Sequence, residues 1–262
     1  MKNTLVTIIV LVIAGCSTSG HRTNKNDIRG FNEFLGEEKT AAMNTAVESF
    51  EHFLLINYST HKSHASRAKA FLEQICNTSH PDSSWVLTTE TNVKIIEAFE
   101  TTGLRKEIWL YSSEEYLPKN NINELFPIKQ QDTVTEIELG ELDLELIEGL
   151  KVPFANMNMA EIVQPEKEKE EWIKKPFNSN LYGEFFYGLA KFAPNDSLTQ
   201  EYVEVKAIAG DISHVIIAAA FLQQNTNFDD PFIKRIMIVE FYFWIMKWDI
   251  ERKENNKTMI LQ

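Results

Sequence analysis

The chain has 262 residues, a formal charge of −12 and two cysteines. That acidity argues against nucleic acid as a partner, because phosphates repel a net-negative surface, and against broad adhesion to anionic lipid. Two cysteines exclude a disulfide-stapled scaffold, and sparse Gly and Pro beside plentiful Leu, Ile, Phe, Glu and Lys favour packed helices over a turn-rich sandwich.

The chain opens Met1-Lys2-Asn3, with one positive charge, and runs almost wholly apolar from Thr4 to Ile13. Such a run falls short of the roughly 20 residues needed to span a bilayer core, so residues 1–15 read as a secretory signal. It ends in Ile13-Ala14-Gly15-Cys16. This resembles the lipobox of bacterial lipoproteins: an aliphatic residue, two small residues that fit a peptidase groove, and a cysteine whose thiol takes diacylglycerol. The resemblance covers only the signal and its flank. It implies cleavage before Cys16 and a mature amino terminus acylated on Cys16, with palmitate-type chains holding the protein on a membrane. Each buried methylene contributes about 0.8 kcal/mol, so more than one chain anchors stably. Ser17, not Asp, follows Cys16. In a two-membrane bacterium this resembles the pattern sent to the periplasmic face of the outer membrane; otherwise the outer face of the cell membrane is expected.

Residues 16–30 are polar through Ile28, carry no apolar period and read as a flexible tether. A helical period then runs to Asn57 through Phe31, Phe34, Leu35, Ala42, Ala46, Phe50, Phe53 and Leu54. After a turn at Tyr58–Ser63, a second run places Ala65, Ala68, Leu72, Ile75 and Cys76 on one face, which predicts a helical hairpin. Ala46-x3-Phe50 with Phe53 and the turn near Tyr58 resembles the second helix of a tetratricopeptide unit. The unit's proline and its preceding Leu, Gly and Tyr spacing are missing, and no second copy recurs at a fixed period. Thr88 or Thr89 can cap a helix carrying Val93, Ile96 and Phe99, closed by Gly103. Another helix is expected over Leu104–Leu117, with Ile108, Trp109 and Tyr116.

Asp132 to Glu148 holds seven carboxylates and no base. Residues 134–146 fit a short strand pair or a helix, and a helix over Leu139–Leu150 stopped by Pro153 is preferred. Residues 165–176 are charged, with Glu170 and Lys174, and Glu171 and Lys175, at i,i+4 spacing. They read as a solvated helix or a linker between a helical half at 31–164 and another at 177–252, with 253–262 a tail.

In the second half, Leu181, Tyr182, Phe185, Phe186 and Leu189 share a face that Pro194 ends. Ser197 to Gln200 reads as a capping box opening one long helix, striped by Leu198, Tyr202, Val205, Ala209, Ile212, Val215, Ala219 and Leu222. Asp230-Pro231 places an N-cap before a first-turn proline. The helix that follows, to Glu251, is apolar nearly all round, from Phe232, Ile236, Val239 and Phe243 on one side to Ile233, Met237, Trp244 and Trp248 on the other. Lys234, Arg235, Glu240, Lys247 and Asp249 interrupt it, which predicts a core helix and not a membrane span. The expected fold is predominantly all-α, an irregular multi-helix bundle.

Asp211 and His214 are spaced to share a helix face, and Glu240 lies in the next helix. If those helices pack as neighbours they assemble an Asp–His–Glu cluster, either a general base in a cleft or a structural polar network. Di-iron bundles need two Glu-x-x-His motifs, and Asp211-x-x-His214 is the only acid-x-x-His spacing here. His61 and His64 are candidate zinc ligands, but no nearby Cys completes a set of four. Cys76 reads as a core thiol. Gly-x-Ser-x-Gly, Gly-rich phosphate loops, His-Glu-x-x-His and the Asp/Asn-Gly calcium loop are all absent, and no cofactor is expected. The expected function is a tethered binding module for another envelope protein or a peptide. The alternatives are a lipid-anchored enzyme at Asp211, His214 and Glu240, or a carrier for an apolar ligand. A deep, closed pocket around Glu240 would point to the alternatives; an open groove between helices, with aromatic residues exposed, would point to the module.

Overall fold

In a computed structural model of the chain, the residues described are 25–78, 81–112, 114–125, 177–194 and 196–260. All belong to one unit assembled from both sides of residues 128–171. The signal, Cys16, the expected strand pair or helix within 134–150 and the charged segment 165–176 lie outside the described residues.

Helix α1 spans Lys25–Leu35 and α2 spans Glu37–Asn57. Between them Gly36 takes φ +89°, a left-handed value that costs glycine little. The single period read through Phe31 to Asn57 is therefore two helices. The first begins inside the stretch expected to be tether, and its Ile28 packs against the core. Helix α3, His64–Asn77, follows the expected turn. Ser63 caps it by accepting the Ser66 N–H, while the Ser66 hydroxyl oxygen accepts the Ser63 N–H. Rings lock α2 to α3: Phe71 lies 5.5 Å from Phe50 and 5.8 Å from Phe53.

Helix α4, Thr89–Thr101, ends before Gly103, whose φ is +75°. The helix expected over Leu104–Leu117 is not formed. Helix α5 covers only Leu104–Ile108, and β1 follows at Trp109–Tyr111. It pairs antiparallel with β2, Phe177–Ser179, in the register Trp109 to Ser179. Aromatic residues favour extended backbone. The Tyr111 N–H is also claimed by Glu114 Oε2 at 2.9 Å, in place of a helical acceptor. Buried Arg105 fixes the bend by donating to both Glu100 oxygens, to Glu114 and to the Trp109 carbonyl.

Helix α6 is Glu184–Phe192, α7 is Ser197–Ala209 and α8 is His214–Gln223. The long helix expected from Leu198 to Leu222 is broken at Gly210, where φ is +71°. The capping residue is Asp196, one position before the expected Ser197, and Thr199 donates its hydroxyl to the Asp196 carboxylate. Asp230 caps α9, Pro231–Met237, by accepting the Phe232 N–H at 2.8 Å. A π-helical turn, Ile238–Tyr242, joins α9 to α10, Phe243–Ile260. This composite helix is the expected core element: Ile236, Phe241, Ile245 and Met246 are fully buried. It packs on α2 and α4, while α8 packs on α3 and α1 on α6. The fold is predominantly α-helical, and β1 and β2 are the only sheet among the described residues. No described helix is long and apolar enough to cross a membrane.

Candidate functional site

Glu240 sits at the middle of the π turn and is buried. Inserting one residue into a helical turn redirects the side chains around it, and such turns recur at functional sites. Helix α7 presents Tyr202 and Lys206 to it, four residues apart on one face. The Tyr202 hydroxyl donates to Glu240 Oε1, and Lys206 Nζ lies 3.0 Å from the same oxygen. Lys206 also donates to Ser179 Oγ at 3.2 Å and lies 3.6 Å from Asp211 Oδ1. Ser179, the last residue of β2, donates its hydroxyl to Asp211 Oδ1 at 2.5 Å. Its N–H is shared between both Asp211 oxygens at 3.3 Å. Burial pushes the Tyr202 hydroxyl well above its ordinary pKa, and the Glu240 charge adds to this.

Ser179, Lys206, Asp211 and Glu240 form the polar part of a cleft of about 500 Å³, within the size range of small-molecule sites. Trp109, Phe177, Phe243 and Trp244 supply an aromatic wall. His214 also lines the cleft, its ring 5.4 Å from Trp244. Burial lowers the His214 pKa; Glu240 and Asp211 oppose the shift and Lys206 reinforces it. Its imidazole is therefore neutral at pH 7.

No protein-family model, curated protein or solved structure matches the chain, so the reading of this site rests on its own geometry.

The cleft brings together the expected trio of Asp211, His214 and Glu240, but not in the expected way. Asp211 lies in the break between α7 and α8, and His214 is the first residue of α8, so they do not share a helix face. No hydrogen bond joins His214 to either acid among the described residues. The partners of Glu240 are Tyr202 and Lys206, neither picked out in the sequence. One signal pointed to Lys206: it lies beside the apolar stripe of α7, where a buried charge needs an opposite charge. Glu240, set in the next apolar helix, is the complement. Ser179 carried no such signal.

The other candidates fall elsewhere. His61 lies in the exposed turn before α3. His64 opens α3 and lines a separate concavity of about 400 Å³ with Glu51 and Lys234, from which His61 is absent. Burial, then Lys234, lowers the His64 pKa. Among the described residues, no group of three or more His, Cys, Asp or Glu is arranged to hold a metal ion. Cys76 is half-buried with Sγ 3.9 Å from the Val215 carbonyl, and burial raises its thiol pKa.

Proposed function

We propose that this chain is a lipid-anchored envelope protein whose helical domain is a binding module, and that it seats its ligand in the cleft at the π turn. The observation that carries the binding role is the pairing of an aromatic wall with a polar end held rigid by its own contacts. Lys206 is fixed by three oxygen partners and Glu240 by two donors, which suits recognition by a preorganised surface. The ligand is an apolar or aromatic body carrying one polar group, presented by an envelope protein, a peptide or a small molecule. A fragment screen by nuclear magnetic resonance tests the cleft. Hits should perturb the Trp244 and Trp109 indole signals, and hits that cluster away from both would overturn the reading.

The anchor rests on the run Thr4 to Ile13 and on Ile13-Ala14-Gly15-Cys16. Cys16→Ser should leave an unprocessed, unacylated precursor. Mass spectrometry of the mature amino terminus decides it, and an unmodified terminus elsewhere in the chain would end the lipoprotein assignment.

A further inference from the structure

Given that the cleft is a ligand site, we infer that the polar group it takes is an organic ammonium, with the body of the cation against the aromatic wall. The inference starts from unused hydrogen-bonding capacity. The Lys206 ammonium already has three oxygens within reach: Glu240 at 3.0 Å, Ser179 at 3.2 Å and Asp211 at 3.6 Å. It donates a hydrogen bond to Ser179, and the two carboxylates hold it as ion pairs, so its charge is already matched. The acceptors are in excess. Glu240 receives both its contacts on Oε1, and Oε2 has no partner among the described residues. The Asp211 side chain is 51% exposed. The His214 ring nitrogens take no hydrogen bond among the described residues.

Charge agrees with this. Two carboxylates and one ammonium line the cleft beside a neutral imidazole, which leaves one negative charge. An anion would meet both carboxylates and a Lys206 ammonium whose charge they already match, whereas a cation would meet the excess negative charge. Lys247, behind Phe177, is faced by Glu251 and Glu100 and does not line the cleft. The net charge of −12 steers cations towards the protein at long range.

The wall fits the same chemistry, because aromatic faces attract cations. Trp109 lies 4.4 Å from Phe243 and 5.1 Å from Phe177, a continuous ring surface. Phe177 itself already meets one internal cation in this way, Lys247 Nζ at 4.3 Å from its centroid.

The test uses the purified full chain in a nonionic detergent, titrated while tryptophan fluorescence and heat are recorded. The probes share a phenyl body: phenyltrimethylammonium, 3-phenylpropylammonium, neutral 3-phenylpropanol and anionic 3-phenylpropanoate. A short peptide with one lysine is the fifth probe, because a partner protein's side chain could supply the same group. The ammonium probes should bind about tenfold more tightly than the alcohol, with the carboxylate weakest. Asp211→Asn keeps one oxygen to accept from Ser179 while removing the charge; it should weaken the ammonium probes severalfold and leave the alcohol unchanged. Trp244→Ala should weaken every probe. Tighter binding of the lysine peptide than of the free amines would support a protein partner as the source, and the reverse a small molecule. If the alcohol or the carboxylate binds as tightly as the ammonium, the cation inference fails while cleft binding stands. If no probe binds at millimolar concentration, or binding ignores Trp244→Ala, both fall.

Discussion

Breaking the buried pair at the π turn should cost more than any surface change. The side chains of Lys206 and Glu240 are 3% and 4% exposed and meet at 3.0 Å. At an effective dielectric of about 20, their attraction is about 5 kcal/mol, and desolvation of both ions offsets most of it. The intact pair is therefore worth little relative to an apolar substitute, but a single survivor is a buried, uncompensated charge. Lys206→Met keeps the aliphatic stem and leaves Glu240 with only the Tyr202 hydroxyl. It should cost about 3–5 kcal/mol. Glu240→Gln strands Lys206 less severely, because Ser179 and Asp211 remain, so it should fall at the lower end of that range. The double variant Lys206→Met with Glu240→Leu should recover most of the loss. Urea melts of the wild type, Lys206→Met, Glu240→Leu and their double variant, combined as a double-mutant cycle, measure this directly. A loss under about 1 kcal/mol for Lys206→Met, or a double variant no better than the singles, would refute the reasoning.

Other changes rank by burial and space. Phe71→Ala removes a fully buried ring that meets Phe50, Phe53, Tyr58, Trp85 and Phe241, and should cost about 4–5 kcal/mol in denaturant melts. Trp244→Ala, which the helical pattern alone would rank as a full core loss, should cost clearly less because that ring is partly exposed to the cleft. A Cβ at position 183 would stand 2.1 Å from the Glu107 carbonyl oxygen, which is backbone and cannot swing aside. Gly183→Ala should thus lower the melting temperature more than Gly36→Ala, whose new Cβ meets nothing and costs about 1–3 kcal/mol of backbone strain. Acid should destabilise the fold through His64 and His214, whose pKa values lie below the ordinary 6.5. Their contribution is fully present above pH 6.5 and is lost as pH falls from there through the folded values, because the unfolded chain takes the protons first. Urea melts from pH 8 to pH 5 should show that decline, and it should flatten in the His64→Gln, His214→Gln double variant.

Local pattern determined a large part of this molecule. The helices at 64–77 and 89–101, the start of the last helix at Pro231 with its Asp230 cap, and the choice of core over membrane for that helix follow from spacing and capping chemistry within a few residues, whereas its end was expected at Glu251 and lies at Ile260. The breaks were harder to read, because they depend on what the backbone meets elsewhere. Gly36 and Gly210 adopt left-handed φ values that an uninterrupted apolar period conceals. The turn from α5 into β1 needs Arg105 and Glu114 to claim backbone groups, and needs β2, which enters from far along the chain, to pair with it. The site divides in the same way. Asp211, His214 and Glu240 stood out because each is polar within an apolar setting. Their roles depended on a distant lysine, because a buried carboxylate is defined by the donor that reaches it. Periodicity shows which face of a helix turns inward; only packing brought Lys206 and Ser179 to the same cleft, across an interval of sequence that no local pattern spans.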